Sequence, residues 1–435
     1  MRLNPRWLGL AASLVLAVSG FLAGKPYHHD AAWVTGVCLW FPALIGLGYA
    51  WWQLRDERSG LLVTATLWAL PLLIAPPMGA LDVYAYSCQG QLFDAGLNLY
   101  EHGPADLPCT WLSAVPPLWR DTPTPYGPLW FAISGAVAWL AHGHLVVAVG
   151  LFRAVAVGGL ILCVAAARRL TADNAALAMS PLVLIHVVSG VHNDILVAGF
   201  VVAGFAYAVH KRPVPAGAAI GLAAAVKVTA LVAAPFLVLL LLRRRRDPLA
   251  FAAAAAAVYT ALALVTGHGL GFLKALGATA QLVQWLSIPS GVGMAVGYVL
   301  RWAGHPEAFD PAVAAARAVG FVVLAGLLLW LWIRAVKARA EPTAVMTFAG
   351  LAMLATAVLG PVFYAWYALA GIAVLACTPL AGRLRTGVHV AVVALPFLTL
   401  PDSLGLATKT KVPGAFLDVV LVAWAAGRLR RRSHS

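Results

Sequence analysis

Apolar residues run through this chain in unbroken blocks of helix length, separated by short polar or basic stretches. Blocks near residues 7–23, 33–53, 60–80, 145–166 and 249–267 approach or exceed the roughly 20 residues that a helix needs to cross a bilayer. Alternation over about ten residues, the mark of a membrane strand, is absent from the pattern. A backbone in lipid must satisfy its own polar groups, so helical blocks of this kind predict an all-α polytopic membrane protein and not a barrel. Counting every apolar block predicts about 12–14 transmembrane helices in a single integral membrane domain spanning 1–435. Composition agrees: of 435 residues, 62% are hydrophobic and 11% charged, against about a quarter charged in ordinary soluble proteins. A soluble globular enzyme is excluded.

The formal net charge of +14 invites a nucleic-acid reading, but its distribution argues against one. Basic residues cluster between apolar blocks, at Arg168–Arg169, Lys211–Arg212, Arg243–Arg246, Arg334 with Lys337 and Arg339, Arg383 with Arg385, and Arg428 with Arg430–Arg432. Such clusters mark cytoplasmic loops. Residues 7–23 follow Arg2 and Arg6 without a clear cleavage signal, and read as an uncleaved first helix with its N-terminus inside. Alternating outward from there places residue 81 onward on the outer side. Parity up to Arg168–Arg169 then requires one of the runs 126–143 and 145–166 not to cross. The shorter run, 126–143, is expected to be half-inserted within a first large outer loop, 81–143. A second outer loop, 268–310, is expected to hold a re-entrant piece at 288–302, short and rich in glycine.

The first outer loop is rich in acids and aromatics. Between 81 and 125 it carries Asp82, Asp94, Glu101, Asp106 and Asp121 with Tyr84, Tyr86, Tyr100, Trp111 and Trp119, and Arg120 is its only Lys or Arg. Carboxylates accept sugar hydroxyls and ring faces cover the apolar side of a pyranose; an interfacial aromatic belt is the competing reading. Asp82 follows an apolar run directly. A carboxylate at that level is partly desolvated, which raises its pKa and makes it a better base; the alternative is an exposed carboxylate at a helix C-terminus. In SGVHNDIL, 189–196, either Asn193 or Asp194 caps the following helix, or His192 and Asp194 contact substrate. The triplet lacks metal-ligand spacing. Lys227 stands inside LAAAVKVTALVAAPFL with no charge for more than ten residues on either side. It must snorkel to an interface or find an anion, and a lipid phosphate would serve. Because both flanking basic clusters read as inside, the stretch must turn back near its middle. Cys38, Cys163 and Cys377 fall in apolar spans as buried hydrophobes, whereas Cys88 and Cys109 share the outer loop, where a disulfide is allowed.

Five strings, DVYAYSCQGQLFDAGLNLYEHGP, TPTPYGPLW, HND, AAAVKVTALVAAPFL and VFYAWYAL, taken together resemble the polyprenol-phosphomannose-dependent α-1,6-mannosyltransferases of actinobacteria. The resemblance runs from about residue 60 to 385; Ala365 stands where that family often has proline before the Trp366–Tyr367 pair. It implies the glycosyltransferase C fold, a multi-pass protein of the plasma membrane, a polyprenyl-phosphate mannose donor met on the outer (periplasmic) face, and a growing lipomannan or lipoarabinomannan acceptor. It also implies that Asp82 is the catalytic aspartate.

The chemistry then assigns roles. The phosphate of such a donor is already a good leaving group, so one base suffices, in contrast to the two carboxylates of glycosidases. Asp82 is the expected base and Lys227 the expected phosphate-binding residue. Tyr84, Tyr86 and Tyr126 are expected to line the donor pocket, His192 and Asp194 to position sugar hydroxyls, and Trp366 and Tyr367 to contact substrate. No cofactor is required. A divalent metal would need Asp82 and Asp194 to approach each other, and no spacing demands it. Expected partners are the lipid donor, the mannan or lipoglycan acceptor and membrane lipids, with no nucleic acid. Two other classes fit a polytopic chain: a transporter of lipid-linked sugar, and a non-catalytic glycolipid-binding subunit. A transferase of another sugar also stays open. The acidic loop beside Asp82 favours the enzyme.

Overall fold

A computed structural model describes residues 4–25, 30–57, 59–107, 109–170, 175–242, 244–272, 275, 277, 282–403 and 405–433. Among them the secondary structure is helical, with one isolated bridge between Leu400 and Ser403. The helices are α1 (Pro5–Ala23), α2 (Ala31–Leu54), α3 (Leu61–Ile74), α4 (Asp82–Asp94), α5 (Pro128–Ala141), α6 (Leu145–Ala167), α7 (Pro181–Ser189) and α8 (Asp194–Val209). They continue as α9 (Pro213–Val226), α10 (Ala234–Leu241), α11 (Arg246–Thr266), α12 (Ile288–Trp302), α13 (Phe309–Lys337), α14 (Pro342–Leu359), α15 (Leu369–Ala376), α16 (Gly382–Ala394) and α17 (Lys411–Ser433). Sequence sets their ends. Asn4 and Asp30 cap α1 and α2 through their side chains, and proline opens α1, α5, α9, α12 and α14.

Six helices among the described residues are long and apolar enough to cross a membrane, and seven if the bent pair α7–α8 counts as one span. The expectation of about 12–14 crossings also counted apolar stretches that fold as helices of only 10–17 residues: Leu61–Ile74, Pro128–Ala141, Pro213–Val226, Val228–Leu241 and Ala365–Ala376. Each alone is short of the roughly 20 residues a span requires. Their apolar character is that of buried protein as much as of lipid contact. The run 126–143 folds as the 14-residue α5, and 288–302 folds as α12; residues 273, 274, 276 and 278–281 of the second loop lie outside the described residues.

Helix breaks organise the molecule. Helix α3 contains Pro71 and ends at Ile74. Arg153 of α6 donates to the Leu73 carbonyl at 2.6 Å and also to the Ala75 carbonyl, satisfying two acceptors that the break exposes. The chain then runs non-helically to residue 81, so Asp82 opens α4 instead of closing the preceding span. This corrects the sequence reading, in which Asp82 ended an apolar helix. Helices α7 and α8 meet at 117°, with Val191 between them at a φ of 59°. A β-branched residue in the left-handed region is strained. Helix α9 ends at Val226, Lys227 is extended, and a short 3-10 turn, Val228–Ala233, leads into α10. Helix α14 ends at Leu359, and an extended strap, residues 360–364, precedes Ala365–Ala368 and α15.

Helix α4 lies against α5, α6 against α8, α8 against α9, and α9 against α11. Fully buried Trp40, Trp68, Trp130 and Trp366 anchor the interior. Cys163 and Cys377 are buried as expected, but Cys38 is exposed on α2, so the expectation that all three thiols are buried fails there. The α4–α5 contact requires a glycine: a Cβ on Gly90 would stand 2.1 Å from the Ser134 carbonyl oxygen. Gly90→Ala is therefore expected to destabilise the protein by about 1–3 kcal/mol through overpacking. A lower melting temperature in detergent is the expected reading; an unchanged one would mean that α4 and α5 are not packed this closely.

Candidate active site

All four breaks end at one place. Asp82, at the start of α4, is 4% exposed. Its Oδ1 accepts a hydrogen bond from Trp119 Nε1 at 2.9 Å, and its Oδ2 lies 3.6 Å from His192 Nδ1. Trp119 arrives on the loop that follows α4. That loop is tied back by the Cys88–Cys109 disulfide, whose Cα atoms are 5.5 Å apart, and by Gln91, which bonds Thr110 through both ends of its amide. Burial pushes the Asp82 carboxyl up to about 7, against the opposing pull of the Trp119 N–H and the Lys227 charge; the Asp194 charge adds to the rise.

At the second centre Lys227 Nζ donates to Asp194 Oδ1 at 2.9 Å and Oδ2 at 3.1 Å. The sequence suggested snorkelling or an anionic lipid as the partner of this lysine; a protein carboxylate meets it, from the first turn of α8, 33 residues earlier. The ammonium also sits 3.9 Å from the ring centre of Tyr367 and 5.8 Å from that of Tyr126, which adds cation–π attraction. Asp194 does not cap α8 with its side chain, and neither does Asn193, whose amide atoms are buried without partners.

The chain approaches this centre through Thr124–Pro125–Tyr126–Gly127. Gly127 N–H donates to the Val226 carbonyl at 3.0 Å, and a Cβ there would lie 2.4 Å from the Ala225 carbonyl oxygen. Only glycine lets this strap dock on the end of α9, next to Lys227. Pro125 of this strap lines two cavities. The smaller, a crevice of about 10 Å³, is lined by Asp82, Tyr86, Gln89, Trp119, Thr122 and Tyr126. The larger, of about 220 Å³, has Asp194, Lys227 and Tyr367 at its polar part and Val197, Phe321, Leu324, Met353, Ala357 and Val362 along its apolar walls.

The remaining expected residues divide accordingly. Tyr86 and Tyr126 line the Asp82 cavity and not the apolar groove; their hydroxyls are 3.3 Å apart, and burial pushes both well above the ordinary tyrosine range, so they stay neutral donors. Tyr84 lines neither cavity and lies in the field of Arg153. His192 is fully buried, faces Asp82 and also lines neither cavity. It stacks on Trp366 with ring centres 3.7 Å apart, and Trp366 stacks on Tyr364 at 4.9 Å. Trp366 is thus buried in a ring stack, while its neighbour Tyr367 reaches the groove. Asp82 and Asp194 each have a different partner, and no group of three or more His, Cys, Asp or Glu converges among the described residues. Sequence reasoning missed Trp119 and Gln89 as site residues; Trp119 carried a signal, as one of the aromatics of the acidic loop.

An all-helical, multi-pass membrane protein of the glycosyltransferase C type accounts for broken helices that gather one carboxylate, one ion pair and a ring stack beside an apolar groove. Residues 6–243 match the N-terminal domain of the alpha-(1->6)-mannopyranosyltransferases, and residues 289–428 match the MptB C-terminal domain. The chain is 32% identical to alpha-(1->6)-mannopyranosyltransferase A of Mycobacterium tuberculosis, over 84% of this chain and 78% of the relative. It is 30% identical to a probable alpha-(1->6)-mannopyranosyltransferase of Mycolicibacterium smegmatis, over 84% and 72%, and 25% identical to alpha-(1->6)-mannopyranosyltransferase B of Corynebacterium glutamicum, over 96% and 75%. The chain belongs to the α-(1→6)-mannopyranosyltransferase family. No solved structure matches it.

A reaction that uses Asp82 as its base gains rate as pH rises through about 7, because the carboxyl must lose its proton to act. The Trp119 N–H favours the ionised form, so Trp119→Phe should move this limb to higher pH. The pH profile of kcat/KM checks it; a limb that stays in place in the variant removes Trp119 from the control of Asp82.

Proposed function

We propose that this protein transfers mannose from polyprenyl-phosphate mannose to the end of an α-1,6-mannan chain, of the lipomannan or lipoarabinomannan kind, on the outer face of the membrane. The observation that carries the reading is the groove: apolar along most of its walls, with Lys227 in its lining. A polyprenyl tail fits the walls, and the phosphate fits the lysine. Lys227 has three N–H donors and Asp194 is its one carboxylate partner among the described residues, so a donor remains for a phosphoryl oxygen. The names of the relatives support mannose and the α-1,6 linkage.

In this mechanism the acceptor hydroxyl approaches through the cavity around Asp82. Asp82 takes its proton as the oxygen attacks the anomeric carbon. The bond to phosphate breaks, polyprenyl phosphate leaves held by Lys227, and the anomeric centre inverts, so a β-linked donor gives an α-mannoside. Tyr86 and Tyr126, as neutral hydroxyl donors, orient sugar oxygens. Every step uses side chains alone, and no cofactor is invoked.

The experiment is transfer of radiolabelled mannose from the polyprenyl phosphate to a short α-1,6-mannoside in membranes carrying the protein. Asp82→Asn should lower turnover on the order of 10²–10⁴-fold at normal expression, the range for general acid–base catalysis. Undiminished activity would place the base elsewhere, and no activity in the wild type, with donor moved between leaflets, would favour a transporter. Lys227→Met alone strands Asp194, at a cost of about 3–5 kcal/mol. Lys227→Met with Asp194→Asn should regain the melting temperature but not the activity. Recovery of both would make the ion pair purely structural.

A further inference from the structure

The strap 360–364 belongs to the site but is held from outside it. Its residues Gly360, Pro361 and Val362 line the groove, and it leads directly into the Tyr364–Trp366–His192 stack that abuts Asp82. An extended strap has no helical partners for its carbonyls, and those carbonyls are satisfied by side chains from the segment before α12, from the first turn of α12 and from α13. Ser287 Oγ donates to the Gly360 carbonyl at 2.6 Å, Ser290 Oγ to the Pro361 carbonyl at 2.7 Å, and Gln284 Nε2 to the Phe363 carbonyl at 2.5 Å. Arg317, half-buried on α13, gathers the same groups: Nε donates to Ser290 Oγ at 2.8 Å, and Nη2 donates to the carbonyls of Leu282 at 2.6 Å and Pro361 at 3.0 Å. Ser287 and Ser290 are fully buried and Gln284 is 6% exposed. An arginine in an apolar helix that spends its donors on backbone carbonyls of a functional strap is doing more than facing an interface.

We propose that Gln284, Ser287, Ser290 and Arg317 form a clamp that fixes the 360–364 strap, so that Arg317 and Gln284 are positioning residues for the lipid-linked donor. They touch neither substrate nor the reacting atoms. Through the strap they set one wall of the groove and the ring stack behind Asp82 together. The second loop region thereby serves a site to which its described residues contribute no reacting group. The donor assignment rests on the function proposed above; the clamp itself does not.

Two measurements on the purified full-length protein test it. The first is hydrogen exchange of the peptide that covers 360–368, which needs no substrate. Arg317→Gln removes the charged hub, and Gln284→Ala removes a single bond and is the milder variant should Arg317→Gln fail to fold. Exchange of this peptide should rise about tenfold or more, the expected scale for losing a buried hydrogen bond to its partner, while α1 to α3 stay protected. Unchanged exchange in a folded variant overturns the clamp. The second is the steady-state split. The KM for the lipid donor should rise about tenfold, with the acceptor KM unchanged, and Arg317→Lys should restore part of it. A fall in kcat with both KM values unchanged would mean fewer active molecules and a merely structural role. Should the wild type fail to use the lipid donor, the proposed function falls, and the exchange result still decides the clamp.

Discussion

Lys227 and Asp194 hold each other in surroundings that neither tolerates alone, and the rest of the site is arranged around that pair. Their side chains are 12% and 8% exposed and meet at 2.9 Å. A buried charge without its partner costs several kcal/mol, so the pair enforces the meeting of two chain breaks. Asp194 must open α8, which requires the bend after α7 and the strained Val191. Lys227 must stand just beyond the end of α9, where the extended backbone turns it toward Asp194 and over Tyr367. The Gly127 strap then docks on the last carbonyls of α9, which brings Tyr126 to the same lysine. Sequence-distant segments are thus registered by one ion pair.

Breaking a helix in an apolar protein frees backbone groups that water cannot reach, and three of the four breaks here have a remedy of their own. Arg153 supplies donors to the end of α3. The Gly127 N–H caps the end of α9. Gln284, Ser287, Ser290 and Arg317 serve the strap after α14. Such remedies explain why a chain with so few charged residues places several of them at breaks instead of on its surface. The short apolar helices α3 and α9 end at the breaks that lead to Asp82 and Lys227.

Much of this was legible because charge is scarce. Asp82, Asp194 and Lys227 were conspicuous as ionisable residues in or beside apolar runs, and the helical class followed from block length alone. The pairing of Lys227 with Asp194 was not legible, because nothing local relates residues 33 positions apart. Nor was the placement of His192 behind Asp82, which depends on a 117° bend. The number of spans was hard to read for a related reason: hydropathy reports burial, and burial in protein looks like burial in lipid. Arg317 went unread because Asp310, seven residues before it, hides it from the isolation that marked Lys227. Trp119 was recorded as one aromatic among several, since a hydrogen bond to Asp82 across a disulfide-tied loop leaves no spacing in the sequence.

The two charged centres do not act independently. Lys227 lowers the proton affinity of Asp82, and Asp194 raises it. In the proposed reaction the donor phosphate brings a negative charge to Lys227 and offsets part of the field that the lysine exerts. Asp82 then binds a proton more strongly at the moment it must accept one from the acceptor hydroxyl. As the glycosidic bond to phosphate breaks, the charge on the leaving group grows next to the same ammonium, and the new proton on Asp82 reduces the negative charge nearby. Proton transfer and phosphate departure therefore favour each other through a single lysine. A carboxyl pushed up to about 7 is a stronger base than an exposed one and still ionises near neutral pH.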